Sequence, residues 1–405
     1  MHHKNAVIIG AGVAGLASAI RLAVQGYNVQ VHERNTYPGG KLNAFEKEGF
    51  HFDTGPSLFT QPENIEELFE LAGEPIDKYF SYQRLDVACK YFFENGKVVQ
   101  AFSNPAQFAT ELHEQLKEEP ARLTRYLHSA DKLYRNIGKI FLDHSLHKRR
   151  TWFNGRVVKA LATVRTNYLF GSLHKHNRRN FLTPEATQIF DRFATYNGSD
   201  PFRAPAMLSM IPHLEHNQGT YYPRGGMISI TNALFHLAKA KGVQFYFDSP
   251  VQRIIHHENR VEGVVIKDTN VPADIVISNA DVYFTYKDLL KDQFRVKKVL
   301  KQERSSSAIV FYWGVNKTFP ELQLHNIFFS ADYKSEFDNI FRSKTLFDDP
   351  TVYVNITAKS ESTQAPADKE NWFVMVNAPA NYGQDWNQLK QDLRLAVIKK
   401  LNRML

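Results

Sequence analysis

The stretch AVIIGAGVAGLASAI, residues 6–20, reads as a strand, a glycine turn and a helix in direct succession. Ala6 to Ile9 is apolar and mostly β-branched, Gly10, Gly12 and Gly15 come next, and an apolar helical repeat runs on to about Gln25. A second strand, NVQVHER (28–34), places Glu33 roughly 20 residues beyond the glycines. Each glycine has a physical task in this arrangement: Gly10 permits the tight turn, Gly12 admits a pyrophosphate to the backbone, and Gly15 lets helix and strand pack closely. Free N–H groups and the helix dipole favour a diphosphate at that turn, and a carboxylate at position 33 suits ribose hydroxyls. The fold class expected is α/β, with a Rossmann-like dinucleotide-binding domain.

The residues just beyond Glu33 separate the dinucleotides. In ERNTYPGGKLNAFEKEGFHFDTGPS (33–57), Arg34 is succeeded by Gly39, Gly40 and Lys41, and then by Gly55, Pro56 and Ser57. A second glycine pair just past the ribose carboxylate has no use in a nicotinamide site. In a flavin site it lays a second backbone stretch along FAD while a cation, here Lys41, faces the phosphates. The combination resembles the flavoprotein group that contains amine oxidases, protoporphyrinogen oxidase and carotenoid desaturases.

Later segments narrow that resemblance. GTYYPRGGMISITNAL (219–234) carries a Tyr-Pro-x-Gly-Gly turn opening a helix, as in the carotenoid desaturase branch. Two extended segments come after it, around Val251 and over Val261 to Ile266, and then PADIVISNADV, a buried strand ending at Asn279, Ala280 and Asp281. In that family these elements return to the FAD domain, and the backbone at the residue matching Val251 contacts the adenine. SSSAIVFYWGV (305–315) and HNIFFSADYKSEF (325–337) are likewise similar to bacterial phytoene and hydroxycarotenoid desaturases. The resemblance implies FAD held by Gly10, Gly12, Gly15, Glu33, Arg34, Gly40, Lys41, Gly55, Pro56, Ser57, Val251 and Asp281.

The order of elements predicts a discontinuous cofactor domain over residues 1–75 and 216–300. A mostly helical, substrate- and membrane-facing insertion takes 76–215, and 301–405 supplies a substrate-domain sheet in an otherwise mixed α+β unit. The final stretch, QDLRLAVIKKLNRML (391–405), reads as an amphipathic helix. Family members usually end in a glycine-rich segment that closes over FAD. Its absence here predicts intact adenine and pyrophosphate sites with a weakened hold on the flavin ring.

Composition sets limits. The chain has 405 residues, enough for two domains and a large core. Its 30 Phe and 18 Tyr suit either a long apolar cavity or an ordinary large core. A single cysteine, Cys89, excludes an internal disulfide and points to a reducing compartment. No apolar run is long enough for a transmembrane helix, and the first strand begins too early for a signal peptide. A cytoplasmic protein is expected.

The formal net charge of +8 is concentrated. Between His144 and Pro184 there is no Asp or Glu, while Lys148, Arg149, Arg150, Arg156, Lys159, Arg165, Lys175, Arg178 and Arg179 are interleaved with Trp152, Phe153, Leu161, Tyr168, Leu169, Phe170 and Leu173. Such a basic aromatic stretch (144–184) suits peripheral contact with an anionic membrane surface at the inner face of the cell membrane. A solvated helical face is the plain alternative. No nucleic-acid-binding signature accompanies it, so no nucleic acid partner is expected.

The activity implied by the resemblance is hydride transfer from an allylic carbon of an apolar carotenoid to the flavin, with proton loss from the neighbouring carbon. Quinone or oxygen would accept the electrons. Phytoene and a 1-hydroxycarotenoid (3,4-desaturation) both remain as substrates; LDVACKYFFENGK (85–97) and LHNIFFSADYKSEF (324–337) are more similar to the second branch. Two other readings stand beside it: an amine-oxidase-like flavoenzyme with Tyr221 and Tyr222 as an aromatic cage, and a non-catalytic carotenoid- or lipid-binding relative. The catalytic residues are unknown. Asp143, His144 and Arg149 read as surface groups, and His213, Glu215, His216 and His325 make no metal-ligand spacing, so no metal is expected.

Overall fold

A computed structural model describes residues 4–138, 155, 168, 170–258 and 260–405. The chain folds as two units, one from residues 1–83 and 221–303, the other from 84–220 and 304–405.

The first unit is built on four parallel strands in the order Ile275–Ser278, Asn5–Ile9, Asn28–His32, Gln244–Tyr246. From Ala6 to Ile9 the central strand is apolar because both its faces are covered there. Ala6 and Ile8 pack under the helices Val13–Val24 and Ile228–Ala240, through Leu16, Ile20, Leu234 and Leu237. Val7 and Ile9 face Ile254, Val264 and Ile266 of a three-stranded antiparallel sheet, Val251–His257, Arg260–Ile266 and Thr269–Pro272. The strand Ile275–Ser278 is half-buried rather than buried, since it lies at the edge of the parallel sheet with one neighbour.

The second unit holds a six-stranded sheet in the order Ser307–Val315, Glu370–Ala378, Val352–Ile356, His325–Phe328, Val87–Phe92, Val98–Phe102. Pairing is antiparallel except between His325–Phe328 and Val87–Phe92. Val354, Ile356, Val374 and Val376 point to one face, covered by the C-terminal helix Trp386–Met404 through Leu393, Val397 and Leu401. That helix is also tied by charge. Lys400, 2% exposed, donates to the Phe329 carbonyl and to Asp349 Oδ1 (both 2.8 Å) and lies 3.1 Å from Glu94 Oε1. On the opposite face Tyr91, Phe93 and Phe329 pack against Phe108, Leu112, Leu127 and Phe190 of three helices, Pro105–Leu116, Pro120–Leu133 and Pro184–Asp191.

Among the described residues no helix is long and apolar enough to cross a membrane. Most of the basic aromatic stretch, including Lys148, Arg149, Arg150, Arg156, Lys159 and Arg165 with Trp152, Phe153 and Leu161, lies outside the described residues, as do Leu169, Asp143 and His144. Of its remainder, Leu173 is buried, Tyr168 half-buried and Phe170 86% exposed, while Lys175, Arg178 and Arg179 sit on the helix Leu173–Asn180.

One carboxyl in the second unit makes its stability depend on pH. Glu336, buried in the helix Tyr333–Asp338, accepts from the Thr351 N–H (3.0 Å) and hydroxyl (2.6 Å). Burial pushes it up to about 7 despite those bonds. A raised carboxyl favours the fold while protonated, so its contribution is complete below the ordinary value of 4.5 and is lost as pH rises through about 7. Glu336→Gln is expected to remove that loss, gaining up to roughly 3 kcal/mol on the wild type between pH 4.5 and 8. Denaturant unfolding across this range measures it; a constant difference between the two proteins would contradict the account.

Candidate cofactor site

The glycine turn at residues 10–15 is formed as the spacing requires. The Gly10 N–H donates to the His32 carbonyl (2.8 Å), which carries the chain from the first strand across the end of the second. At Gly15 a Cβ would lie 2.1 Å from the Gly10 carbonyl oxygen, so any side chain would force helix and strand apart. The helix Val13–Val24 starts with no side-chain cap and no acid in its first turn. Its first N–H groups and the positive end of its dipole are thereby left for an anion.

A second loop backs this turn. Gly39 pairs with Gly12 in a short parallel bridge and donates its N–H to the Ala11 carbonyl (2.8 Å). A third segment closes on the second: at Gly55, with φ of 96°, a Cβ would lie 1.9 Å from the Lys41 carbonyl oxygen. The three glycine-bearing segments read from the sequence therefore meet.

Glu33 is buried beside them. One carboxylate oxygen accepts from the Ala11 N–H (2.7 Å), the other from the Asn35 N–H (2.9 Å). A carboxylate has about four acceptor positions, so both oxygens keep capacity for two hydroxyls. The Glu33 carbonyl accepts from the Ser249 N–H (2.9 Å), and this draws the segment leading to half-buried Val251 alongside. Arg34, Lys41 and Pro56 are exposed and Ser57 is half-buried. Asp281 is exposed too, with one oxygen accepting from the Tyr283 N–H (2.8 Å) at the start of a short helix.

Two residues that the sequence left without a role join separate segments of this unit. The Asn279 carboxamide hangs over it, with Nδ2 2.7 Å from the position of a Cβ on Gly12 and 3.1 Å from one on Gly15. Buried Asp53 caps a helix from another segment, accepting from the Met227 N–H (2.8 Å) and the Ile228 N–H (3.2 Å) at the start of Ile228–Ala240. A signal for Asp53 was present, since FDTGPS and the YPRGG turn were both conspicuous; that one caps the other was not visible. Tyr222 is buried, and half-buried Tyr221 packs edge-on against Phe59 and Tyr82.

These features fit a flavin dinucleotide: an uncapped helix start, glycines that no side chain could replace, an amide donor above the turn, and a buried carboxylate with spare acceptors. Among the described residues no group of three or more His, Cys, Asp or Glu is placed to hold a metal. Glu215, His216 and His325 are nevertheless all buried, in the second unit.

Comparison with known proteins agrees. A family model described as flavin containing amine oxidoreductase matches residues 13–337. The chain is 46% identical over 99% of its length to a 1-hydroxycarotenoid 3,4-desaturase from a Flavobacterium species, covering 82% of that protein. It is 32% identical over its whole length to a 4,4'-diaponeurosporene oxygenase from Staphylococcus haemolyticus, covering 81% of it. Among solved structures, an oxidoreductase from Methanosarcina mazei superposes with a TM-score of 0.64 at 17% identity, over 99% of this chain and 84% of that one. The chain belongs to the flavin-containing amine oxidoreductase family and, within it, to the carotenoid desaturase branch. It is an FAD-dependent oxidoreductase.

Proposed function

We propose that this enzyme desaturates a 1-hydroxylated carotenoid at the 3,4 position. The observation that carries the reading is the 46% identity, spanning 99% of the chain, to a protein of that activity. The first unit then acts as a Rossmann-like FAD domain, and the second as the substrate domain. The turn at Gly10, Gly12 and Gly15 takes the pyrophosphate, supported by Gly40, Lys41 and Asn279, and Glu33 takes the ribose hydroxyls. Val251 offers its backbone to the adenine; Arg34, Gly55, Pro56, Ser57 and Asp281 flank the cofactor.

What FAD supplies when bound is a two-electron acceptor for hydride, and the protein provides orientation and an apolar surround. The neighbouring C–H loses its proton, and the electron pair left behind forms the new double bond. Electrons leave to quinone or oxygen. The substrate is reached at the inner face of the cell membrane, where the basic aromatic stretch 144–184 supplies cations and apolar side chains for an anionic surface.

Purified protein loaded with FAD should convert a 1-hydroxylated carotenoid in liposomes to a product absorbing at longer wavelength, one conjugated double bond longer by mass. Conversion of phytoene alone would move the assignment to the other desaturase branch. Oxygen incorporation would favour the oxygenase activity named for the 32% identical relative. Peroxide release with amines would replace the reading altogether.

A further inference from the structure

The helix Gln293–Leu300 of the first unit buries only one of its side chains, Val296. With half-buried Val299, that residue fixes the face turned towards the unit. Phe294 stands about 200° round the helix from Val296 and is 78% exposed. Lys297, Lys298 and Lys301 come three, four and seven positions after Phe294 and so share its outward face. All three lysines are exposed, and so is Leu300 at the end of the helix.

The turn before this helix, Thr285–Leu289, is held against it. Arg295 donates to the Tyr286 hydroxyl (3.2 Å) and lies 5.3 Å from the centroid of that ring. Two residues before Tyr286, exposed Phe284 packs edge-on against Tyr283, with 5.2 Å between centroids. Lys287 Nζ lies 5.5 Å from the Tyr283 centroid, so cations and exposed aromatic rings alternate here as well.

Local structure does not account for this face. A lone exposed apolar side chain is ordinary, and cations in a last turn suit the helix dipole. Yet no Asp or Glu occurs from Gln293 to Gln302. Of the four cations in that run only Arg295 has a carboxylate among the described residues, Asp292 at 3.2 Å. Lys297 stands four positions before Lys301, a spacing at which like charges repel along a helix. A surface both anionic and apolar relieves that repulsion and covers the Phe294 ring, and the headgroup layer of an anionic bilayer is such a surface. A nucleic acid would meet the cations and stack on Phe294, but it offers nothing to Leu300.

Resting on the reading that the substrate is drawn from a bilayer, we propose that the helix Gln293–Leu300 anchors the first unit to an anionic membrane. Phe294 enters the headgroup layer, and Lys297, Lys298 and Lys301 meet its phosphates. The full chain with FAD is titrated with vesicles of phosphatidylcholine alone and of phosphatidylcholine with phosphatidylglycerol. Phe294→Ser should weaken binding to the anionic vesicles about tenfold, and Lys297→Glu with Lys298→Glu at least about tenfold. The unfolding temperature should not change, nor should turnover of carotenoid dissolved in detergent. In Phe294→Trp, fluorescence beyond that of the wild type should shift to the blue on anionic vesicles and be quenched by brominated acyl chains. Undiminished binding by Phe294→Ser, with Phe294→Trp unquenched, would overturn the inference and leave membrane contact to the stretch 144–184. A wild-type dimer that Phe294→Ser dissociates, with no loss of vesicle binding, would overturn it in favour of a second copy of the chain. A wild type that binds neither kind of vesicle would remove both the anchor and the membrane reading.

Discussion

Gly15→Ala should abolish stable flavin binding. The added Cβ would sit 2.1 Å from the Gly10 carbonyl oxygen and 3.1 Å from Asn279 Nδ2. The first neighbour is backbone and cannot swing aside, so the helix Val13–Val24 must lift away from the strand Asn5–Ile9. Overpacking of this kind costs about 1–3 kcal/mol in the free protein. The loss for the cofactor is larger, because lifting the helix withdraws its N–H groups from the phosphates. Affinity for FAD should fall at least about a hundredfold, equivalent to roughly 2.7 kcal/mol. Gly26→Ala is the control: Gly26 has a positive φ, of 86°, but no atom lies within 4 Å of its would-be Cβ. It should cost only local backbone strain and leave affinity intact. Flavin absorbance retained after removal of excess FAD, with thermal unfolding in parallel, decides the matter; a Gly15→Ala protein as yellow as the wild type would refute it.

Arg192→Met should destabilise the second unit by about 3–5 kcal/mol, because it strands the Glu215 carboxylate in a dry interior. In the wild type, burial is the largest single influence on Glu215 and acts to raise it, but the Arg192 guanidinium, His216, the Tyr196 hydroxyl and His325 together outweigh burial and hold the carboxyl below its ordinary value. The pair thus contributes stability above the ordinary carboxylate value, which is lost as pH falls through the lowered one. Without Arg192 burial is left as the main influence, the carboxyl rises, and the sign reverses: the variant should lose stability as pH rises. The double variant Arg192→Met with Glu215→Gln should recover much of the loss, since no unpaired charge remains. Chemical unfolding from pH 4 to 8 tests all three proteins. A penalty for Arg192→Met that is small, or the same at every pH, would show that Arg192 acts only through packing.

Legibility in the sequence tracked the range of the interaction. The turn around Gly12 and the position of Glu33 could be read because strand, turn and helix are consecutive, and each glycine answers to a neighbour a few residues away. The meeting of Gly39 with Gly12 was close enough in sequence to be anticipated. Asp53 was not, since its partners Met227 and Ile228 lie 174 and 175 residues on, and no local pattern distinguishes a helix cap supplied from elsewhere. Asn279 escaped for the same reason, and attention fell on Asp281 two residues later. The strand Ile275–Ser278 has the apolar composition of a buried strand, and only sheet order shows it at an edge. Lys400 reads as a solvated position on an amphipathic helix, yet it is among the most deeply buried side chains because Asp349, Glu94 and the Phe329 carbonyl neutralise its cost. Linear spacing tested Glu215 and His216 only as metal ligands, and so passed over the buried pairing of Glu215 with Arg192, which lies 23 residues earlier in another element.

The central strand of the first unit has a consequence for biosynthesis. Asn5–Ile9 is flanked by a strand completed within the first 32 residues and by another, Ile275–Ser278, that comes far later. The closing contact, from the Asn5 N–H to Asp274, joins groups 269 residues apart. At about 5–20 residues per second, a ribosome leaves one edge of Ala6-Val7-Ile8-Ile9 unpaired for roughly 10–50 s. Apolar, β-branched and uncharged, that edge is the kind of segment that recruits other nascent chains. Holdase chaperones should therefore engage this polypeptide early and release it late, with incorporation of flavin delayed until Ile275–Ser278 has emerged to pair with Ala6–Ile9.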